Sequence, residues 1–338
     1  MKKRVVVNGI GRMGKLVTRK ILENPKFELV GINATFKQEP AETLAYILKY
    51  DSAQGTFKGH DFEVIDDVLH IDGKPVKIFD FRNAEEAPWK EENVDIVIEC
   101  TGAYNDKDKA MAHIKAGAKK VVISAPAKGD LKTVVYNVND EVLDKDDIIV
   151  SGASCTTNCL APVVKVLDDA FGIEKGFMTT VHAYTNDQGL VDVKHKKEIA
   201  ARRGRAGAQN IVPTSTGAAK AIGLVMPHLK GKLDGIALRV PTITGSCVDL
   251  VVELKKNVTV EEINKAVKEA ANETLAYTED PIVSADVIGS DYGSIFDALS
   301  TTVMEVEGKQ MVKILTWYDN EASYVAQLVR LVEKVSEL

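Results

Sequence analysis

Residues 5–17, VVVNGIGRMGKLV, narrow the choice of fold more than any other stretch of this chain. A β-branched run leads into Gly9, Gly11 and Gly14, spaced G-x-G-x-x-G, and apolar residues at helical spacing follow. Strand before and helix after is the context that gives this spacing meaning. Gly9 permits the tight turn, Gly11 lets a phosphate approach the backbone, and Gly14 lets the helix pack closely on the strand. The amides at the helix start then attract an anion. A dinucleotide site explains the pattern better than a bare βα turn.

The alternation continues. FELVGIN, VDIVIEC and KKVVIS are apolar runs suited to a parallel sheet covered on both faces, and KDKAMAHIKAGA between the last two reads as a helix closing at Gly117. DFEVIDDVLHIDGKPVKIF reads as an antiparallel meander turning at Asp72-Gly73. After about residue 150 the strands lengthen and alternate more: GFMTTVHAYT, GKLDGIALRVP, SCVDLVVEL and MVKILTWYD. VEEINKAVKEAANE is an amphipathic helix with Thr259 as its N-cap, and NEASYVAQLVRLVEKVSEL is a second one at the end of the chain. The expected fold is an α/β Rossmann-type dinucleotide-binding domain plus an α+β catalytic domain with a mainly antiparallel sheet. The expected division is 1–154, completed by a C-terminal helix over 320–338, and 155–319.

Composition removes some alternatives. With 43 basic and 49 acidic residues among 338, the net charge is −6, which disfavours nucleic acid as the main partner. The opening MKKRVVV imitates a secretory signal, but Asn8 and Gly9 end the apolar run, and no stretch approaches the roughly 18 apolar residues of a membrane span. Four cysteines are too few for a disulfide scaffold and suit a cytoplasmic protein.

Two of those cysteines share the stretch SGASCTTNCLAP. Cys155 and Cys159 have no matching pair of ligands for a metal, so no metal is expected. A disulfide between residues four apart on one helix is geometrically poor. With a strand before it and a helix after it, Cys155 falls at a helix N-terminus, where the dipole favours a thiolate and lowers the pKa. Ser154 and Thr156 flank it with hydroxyls, and Cys159 falls one turn in, as a small core residue. A thiolate needs a base. His182, in MTTVHAYTNDQ, lies where an apolar strand turns polar; it suits that role, and equally a core histidine with both nitrogens satisfied. His60, His70, His113, His195 and His228 lie in charged or turn-like segments and read as solvated.

NGIGRMG, SGASCTTNCLAP, TTVHAYTNDQ, PTSTGAAKAIG, GKLDGIALRVP and WYDNEASY occur in the order and spacing of the phosphorylating glyceraldehyde-3-phosphate dehydrogenases, which the chain resembles over its whole length. The resemblance implies a nucleophile at Cys155 and its proton acceptor at His182. Glyceraldehyde 3-phosphate would be oxidised to a thioester, which inorganic phosphate then cleaves to 1,3-bisphosphoglycerate. It implies one anion site at Thr185 and Arg239 and a second at Ser154, Thr156, Arg203, Thr216 and Gly217. Arg239, lone in the apolar run GIALRVP, would otherwise be a structural ion pair; burial without an anion would be costly. For the cofactor the resemblance implies Asn8, Gly9, Gly11, Arg12, Met13, Gly14, Ala34, Thr35, Arg82, Thr101, Gly102, Ser124, Lys194 and Asn320. It also implies a homotetramer.

Two departures bear on the cofactor. The fingerprint expects an acid at the end of the second strand for the ribose hydroxyls, and after Asn33 stands Ala34, followed by Thr35 and nearby Lys37. The loop GLVDVKHKKEIAARRGRAG is longer and more cationic than the family's usual form, so that Lys194 suits a 2′-phosphate across a subunit contact, or simply a solvated loop. Both departures favour NADP over NAD. Readings that compete with the main one are an erythrose-4-phosphate dehydrogenase, whose thioester goes to water, and a dinucleotide-binding redox sensor that does not turn over.

Overall fold

The carboxyl ends of parallel strands, where dinucleotides lie, organise the first half of the chain. The computed structural model describes residues 2–36, 38–195 and 201–338. Strand β1 (Lys3–Asn8) leads to α1 (Arg12–Glu23), β2 (Phe27–Asn33) and α2 (Pro40–Lys49). A meander follows, β3 (Phe62–Ile65), β4 (Val68–Ile71) and β5 (Lys74–Phe79). Then come β6 (Ile96–Glu99), α3 (Lys107–Lys115), β7 (Lys120–Ile123), β8 (Lys132–Thr133) and β9 (Ile149–Ser151). They form one sheet of order β3-β4-β5-β2-β1-β6-β7-β9-β8. The sheet is mixed: β5 through β8 in that order are parallel, and only the β3-β4-β5 meander is antiparallel. Asp72 and Gly73 both have positive φ, +52° and +73°, as a two-residue hairpin turn requires. The β-branched runs of β1, β6 and β7 are buried throughout save Lys3, Arg4 and Lys120 at the entry ends, which is why they lack alternation. Helix α2 has no counterpart in the sequence reading; Pro40 at its first position starts it.

The second half begins with α4 (Cys155–Phe171) and β10 (Ile173–Ala183), then β11 (Val212–Ser215), α5 (Ala218–Val225), β12 (Leu233–Val240) and β13 (Ser246–Leu254). It closes with α6 (Val260–Glu269), β14 (Leu275–Thr278), β15 (Ser294–Val306) and β16 (Lys309–Tyr318), before α7 (Ala322–Glu337). The sheet order is β11-β12-β10-β13-β16-β15-β14, antiparallel apart from the pairs β10/β12 and β14/β15. Helices α4, α5 and α6 pack against it. Thr259 is the N-cap as expected and also forms a capping box, with Thr259 Oγ1 accepting from the Glu262 amide and Glu262 accepting from the Thr259 amide at 2.8 Å.

The chain divides into two compact units, residues 1–136, 140–154 and 325–338 in one, and 137–139 and 155–324 in the other. In the first, α7 is tied to the strand-entry side by Glu333, which accepts from Lys26 Nζ at 2.8 Å, and by Lys334 Nζ, 3.2 Å from Asp140. Among the described residues no helix is long and apolar enough to cross a membrane.

Candidate active site

In the first unit the glycines do what their spacing requires. Gly9 has φ +97°, and a Cβ on Gly14 would lie 1.8 Å from the Gly9 carbonyl oxygen, so helix and strand can close only with glycine there. A Cβ on Gly11 would meet nothing within 4 Å, which leaves the loop open to a ligand. Gly11 is the N-cap of α1 and supplies no side-chain acceptor to the first amides. That combination suits a pyrophosphate. Arg12 would meet it through its amide, because its guanidinium is held by Asp51, which Lys15 also binds at 2.7 Å. These cations, with the Gln54 amide, hold the Asp51 carboxyl well below the usual range against the effect of burial.

The strand ends behind this loop carry a polar network that sequence reasoning missed. Asn33 Nδ2 donates to Asn8 Oδ1 at 2.6 Å, and Asn8 Nδ2 donates to Glu99 at 2.5 Å. Glu99 also accepts from the Thr101 amide at 2.7 Å, from the Thr101 hydroxyl, and from His113 Nε2 at 3.2 Å. Trp89 Nε1 donates to His113 Nδ1 at 3.1 Å, which leaves Nε2 as the protonated nitrogen facing Glu99. Glu99, His113 and Trp89 are fully buried, so His113 is not the solvated residue that its segment suggested. Through Glu99 the network fixes Thr101 at the start of the turn at Gly102, whose φ is +75°. Ser124 follows β7, and Arg82 is exposed, its carbonyl accepting from Tyr104 at 3.1 Å.

Ala34 continues the β2 pairing, its amide donating to the Phe79 carbonyl at 2.9 Å. With Phe36, Gln38, Leu69, Phe79 and Asp80 it lines a cavity of about 470 Å³. Thr35 follows Ala34, Met13 lies in the first turn of α1, and Lys37 lies outside the described residues.

In the second unit Cys155 is the first residue of α4. The approach is tight: Ala153, a residue with a Cβ, takes φ +58°, with its amide on Ser151 Oγ at 3.2 Å. His182 sits on β10 with Nε2 3.4 Å from Cys155 Sγ. Its Nδ1 lies 2.7 Å from the Ala183 carbonyl and 2.9 Å from Arg239 Nη1. Arg239 Nη1 can donate to the Ala183 carbonyl at 3.1 Å and to Thr185 Oγ1 at 3.1 Å, so Nδ1–H donates to Ala183 and Nε2 keeps its lone pair toward the sulfur. Burial and then the Arg239 charge push the His182 pKa down to about 3, so the imidazole is neutral near pH 7. The Cys155 thiol departs from the sequence expectation. Burial pushes its pKa up, and the Arg239 charge and the Thr156 hydroxyl and amide pull back only part of the way. With the thiol raised and the imidazole lowered, the two rest as a neutral pair.

Tyr318 was also missed. Its hydroxyl bridges Thr156 Oγ1 and Thr180 Oγ1, each at 2.9 Å, and its ring stands edge-on to His182 with centroids 5.9 Å apart. Thr156 is therefore buried with its hydroxyl engaged. Cys159 is fully buried against Thr316, as a core residue.

Arg239 makes no salt bridge among the described residues, and its Nε–H is buried with no acceptor, a state more consistent with an anion site than with a structural ion pair. Thr185 bonds Asp187, which also binds Arg203; Arg203 Nε donates to Thr214 at 2.9 Å. Thr216 Oγ1 accepts from the Ala218 amide at 3.2 Å, and Gly217 caps α5 without a side-chain acceptor. Ser154 precedes Cys155 and is half-buried. Asn320 is buried, with its Oδ1 2.8 Å from the Ser246 hydroxyl. In the cationic loop, Arg205 pairs with Asp192 at 2.5 Å and Lys194 is exposed, while residues 196–200 lie outside the description.

A dinucleotide fingerprint in one unit and a thiol–imidazole contact beside a buried arginine in the other are features that a dinucleotide-dependent dehydrogenase would use. Comparison with known proteins narrows the class. Residues 3–107 match the glyceraldehyde 3-phosphate dehydrogenase NAD binding domain, and residues 154–320 match the glyceraldehyde 3-phosphate dehydrogenase C-terminal domain. The chain belongs to the glyceraldehyde-3-phosphate dehydrogenase family. It is 58% identical over 335 residues to the protein of that name from Clostridium pasteurianum, covering 99% of each chain. It is 58% identical over 327 residues to that of Clostridium acetobutylicum, covering 97% of this chain and 96% of the other. For the Streptococcus pyogenes protein of the same name the figures are 53% over 336 residues, with 99% and 98% covered.

Proposed function

We propose that this protein oxidises D-glyceraldehyde 3-phosphate to 1,3-bisphosphoglycerate through a thioester on Cys155, reversibly, with NAD or NADP. The observation that carries the reading is the 3.4 Å contact between Cys155 Sγ and a neutral His182 Nε2 at the start of α4. As Sγ attacks the aldehyde carbon, Nε2 takes the thiol proton and returns it to the carbonyl oxygen, giving a hemithioacetal. Nε2 takes that proton again as the carbonyl re-forms to the thioester. The nicotinamide of the bound dinucleotide supplies the hydride acceptor for that step. Phosphate then attacks the thioester carbon, and the Cys155 sulfur leaves. Arg239 and Thr185 suit the substrate phosphate, with the orphaned Nε–H of Arg239 as the strongest support. Ser154, Thr156, Arg203, Thr216 and Gly217 suit the attacking phosphate.

Asn8, Gly9, Gly11, Arg12, Met13 and Gly14 would hold the pyrophosphate end, with Ala34, Thr35, Arg82, Thr101, Gly102 and Ser124 along the adenosine and Asn320 for the nicotinamide amide. Ala34 takes away the carboxylate that repels a 2′-phosphate, and Lys194 remains a candidate cation for it, so NADP is accepted beside NAD. A homotetramer is supported by the apolar residues that the second sheet leaves exposed, among them Phe177 at 73% and Ile236 at 49%. We place the protein in the cytoplasm.

The test is the rate of reduced-dinucleotide formation from glyceraldehyde 3-phosphate with and without phosphate. Strict dependence on phosphate, with an acyl phosphate as product, is expected, and iodoacetamide should abolish it. A phosphate-independent rate yielding the carboxylate would point to water as the nucleophile and overturn the phosphorylating reading.

A further inference from the structure

We propose that Asp80, from the strand beside β2, supplies the carboxylate that sets the balance between NAD and NADP. The inference rests on the dinucleotide reading above and refines it. Strand β5 runs parallel to β2 with Gly31 opposite Lys77, Ile32 opposite Ile78 and Asn33 opposite Phe79. The hydrogen bond from the Ala34 amide to the Phe79 carbonyl carries the pairing one step further. Ala34 and Asp80 are therefore the next residues in register, at the strand ends where the adenosine ribose of a dinucleotide is bound.

The cavity at these strand ends fixes the surroundings of Asp80. Phe79 packs edge-on to Trp89 with ring centroids 5.3 Å apart. Asp80, the next residue, lines the same cavity as Ala34 and Phe36. Neighbouring strands lie about 4.8 Å apart, so this acid stands within a side chain's length of the position where Ala34 lacks one. Asp80 is exposed, and among the described residues its carboxylate makes no hydrogen bond or ion pair. Glu92 is engaged with Lys77 at 2.6 Å. The Lys77 ammonium is thereby occupied, and among the described residues no cation pairs with Asp80. Asp67, from the turn between β3 and β4, lines the cavity as well and serves as a control.

A carboxylate accepts hydrogen bonds from ribose hydroxyls and repels a 2′-phosphate. With Ala34 on β2 the repulsion is weaker than an acid at that position would give, and Asp80 keeps part of it. The enzyme then uses both dinucleotides, with Asp80 as the residue that limits NADP.

Dissociation constants of NAD and NADP, measured by calorimetry on the full-length protein, test this in Asp80→Asn, Asp80→Ala and Asp67→Asn. Both Asp80 variants should bind NADP about tenfold more tightly relative to NAD, with 2′,5′-ADP gaining over 5′-AMP to the same degree. Asp67→Asn should move the ratio much less, and Ala34→Asp added to Asp80→Asn should restore discrimination. The rate of Cys155 alkylation should not change. An unchanged NADP/NAD ratio in both Asp80 variants overturns the assignment. A wild type that binds both dinucleotides yet does not oxidise glyceraldehyde 3-phosphate overturns the reaction instead, and the binding ratios still decide the role of Asp80.

Discussion

At the scale of single residues, burial governs the chemistry of this protein more than helix position does. Cys155 opens a helix and still has its pKa raised, because a thiolate there loses its hydration. Its alkylation by iodoacetamide should keep accelerating above pH 9, and Arg239→Gln should slow it at pH 8 by removing the charge that favours the thiolate. A plateau below pH 8 in the wild type would refute a neutral resting pair. His182 titrates near 3 in the fold against an ordinary 6.5, so between those values the unfolded chain binds a proton that the folded chain refuses. Stability therefore falls as the pH drops from about 6.5 toward 3 and is whole above that window. His182→Asn should flatten this dependence in melting temperatures recorded from pH 4 to 7, and should lower kcat by about 10²–10⁴-fold. An identical acid slope in the variant would show that other groups carry it. The sequence offered Cys155 and His182 through their local context. It did not offer Tyr318, because a tyrosine closing an apolar strand looks the same whether or not its hydroxyl reaches two threonines.

Elements owe their clarity in the sequence to burial on both faces. The runs of β1, β6 and β7 are apolar without alternation, and α3, between the last two, starts at Asp106, whose side chain accepts from the Asp108 amide. What happens at the ends of these strands was not legible. Asn8, Asn33 and Glu99 each close an apolar run, and their partners lie far along the chain, His113 being 105 residues from Asn8. Parallel alignment of three strands is what brings the three polar ends together and turns them into one hydrogen-bonded row. Glu99→Gln puts an amide among four donors and leaves at least one buried donor unmatched, at a cost of about 1–3 kcal/mol. Calorimetry should show weaker binding of both dinucleotides and a lower melting temperature, with Cys155 alkylation unchanged. Unaltered binding in a folded variant would reduce the network to a structural role.

On the scale of the whole molecule, the open face of the second sheet carries the next expectation. Phe177, Ile236 and Met311 are exposed on strands whose next residues, Met178, Ala237 and Val312, are buried, and Met304 is exposed beside them. Phe177→Asp should lower the mass measured by light scattering if that face joins copies of the chain, whereas a wild-type monomer at working concentration would remove the homotetramer and the role of Lys194 with it. The sequence by itself determined the dinucleotide fingerprint, the strand–helix alternation, and the cysteine at a helix start, because each depends on neighbours a few residues away. Only the tertiary structure decided the resting state of the thiol, the buried row from Asn33 to Trp89, and the placing of Asp80 beside Ala34. Those depend on strand register and on exclusion of water, which arise when segments distant in the chain pack together.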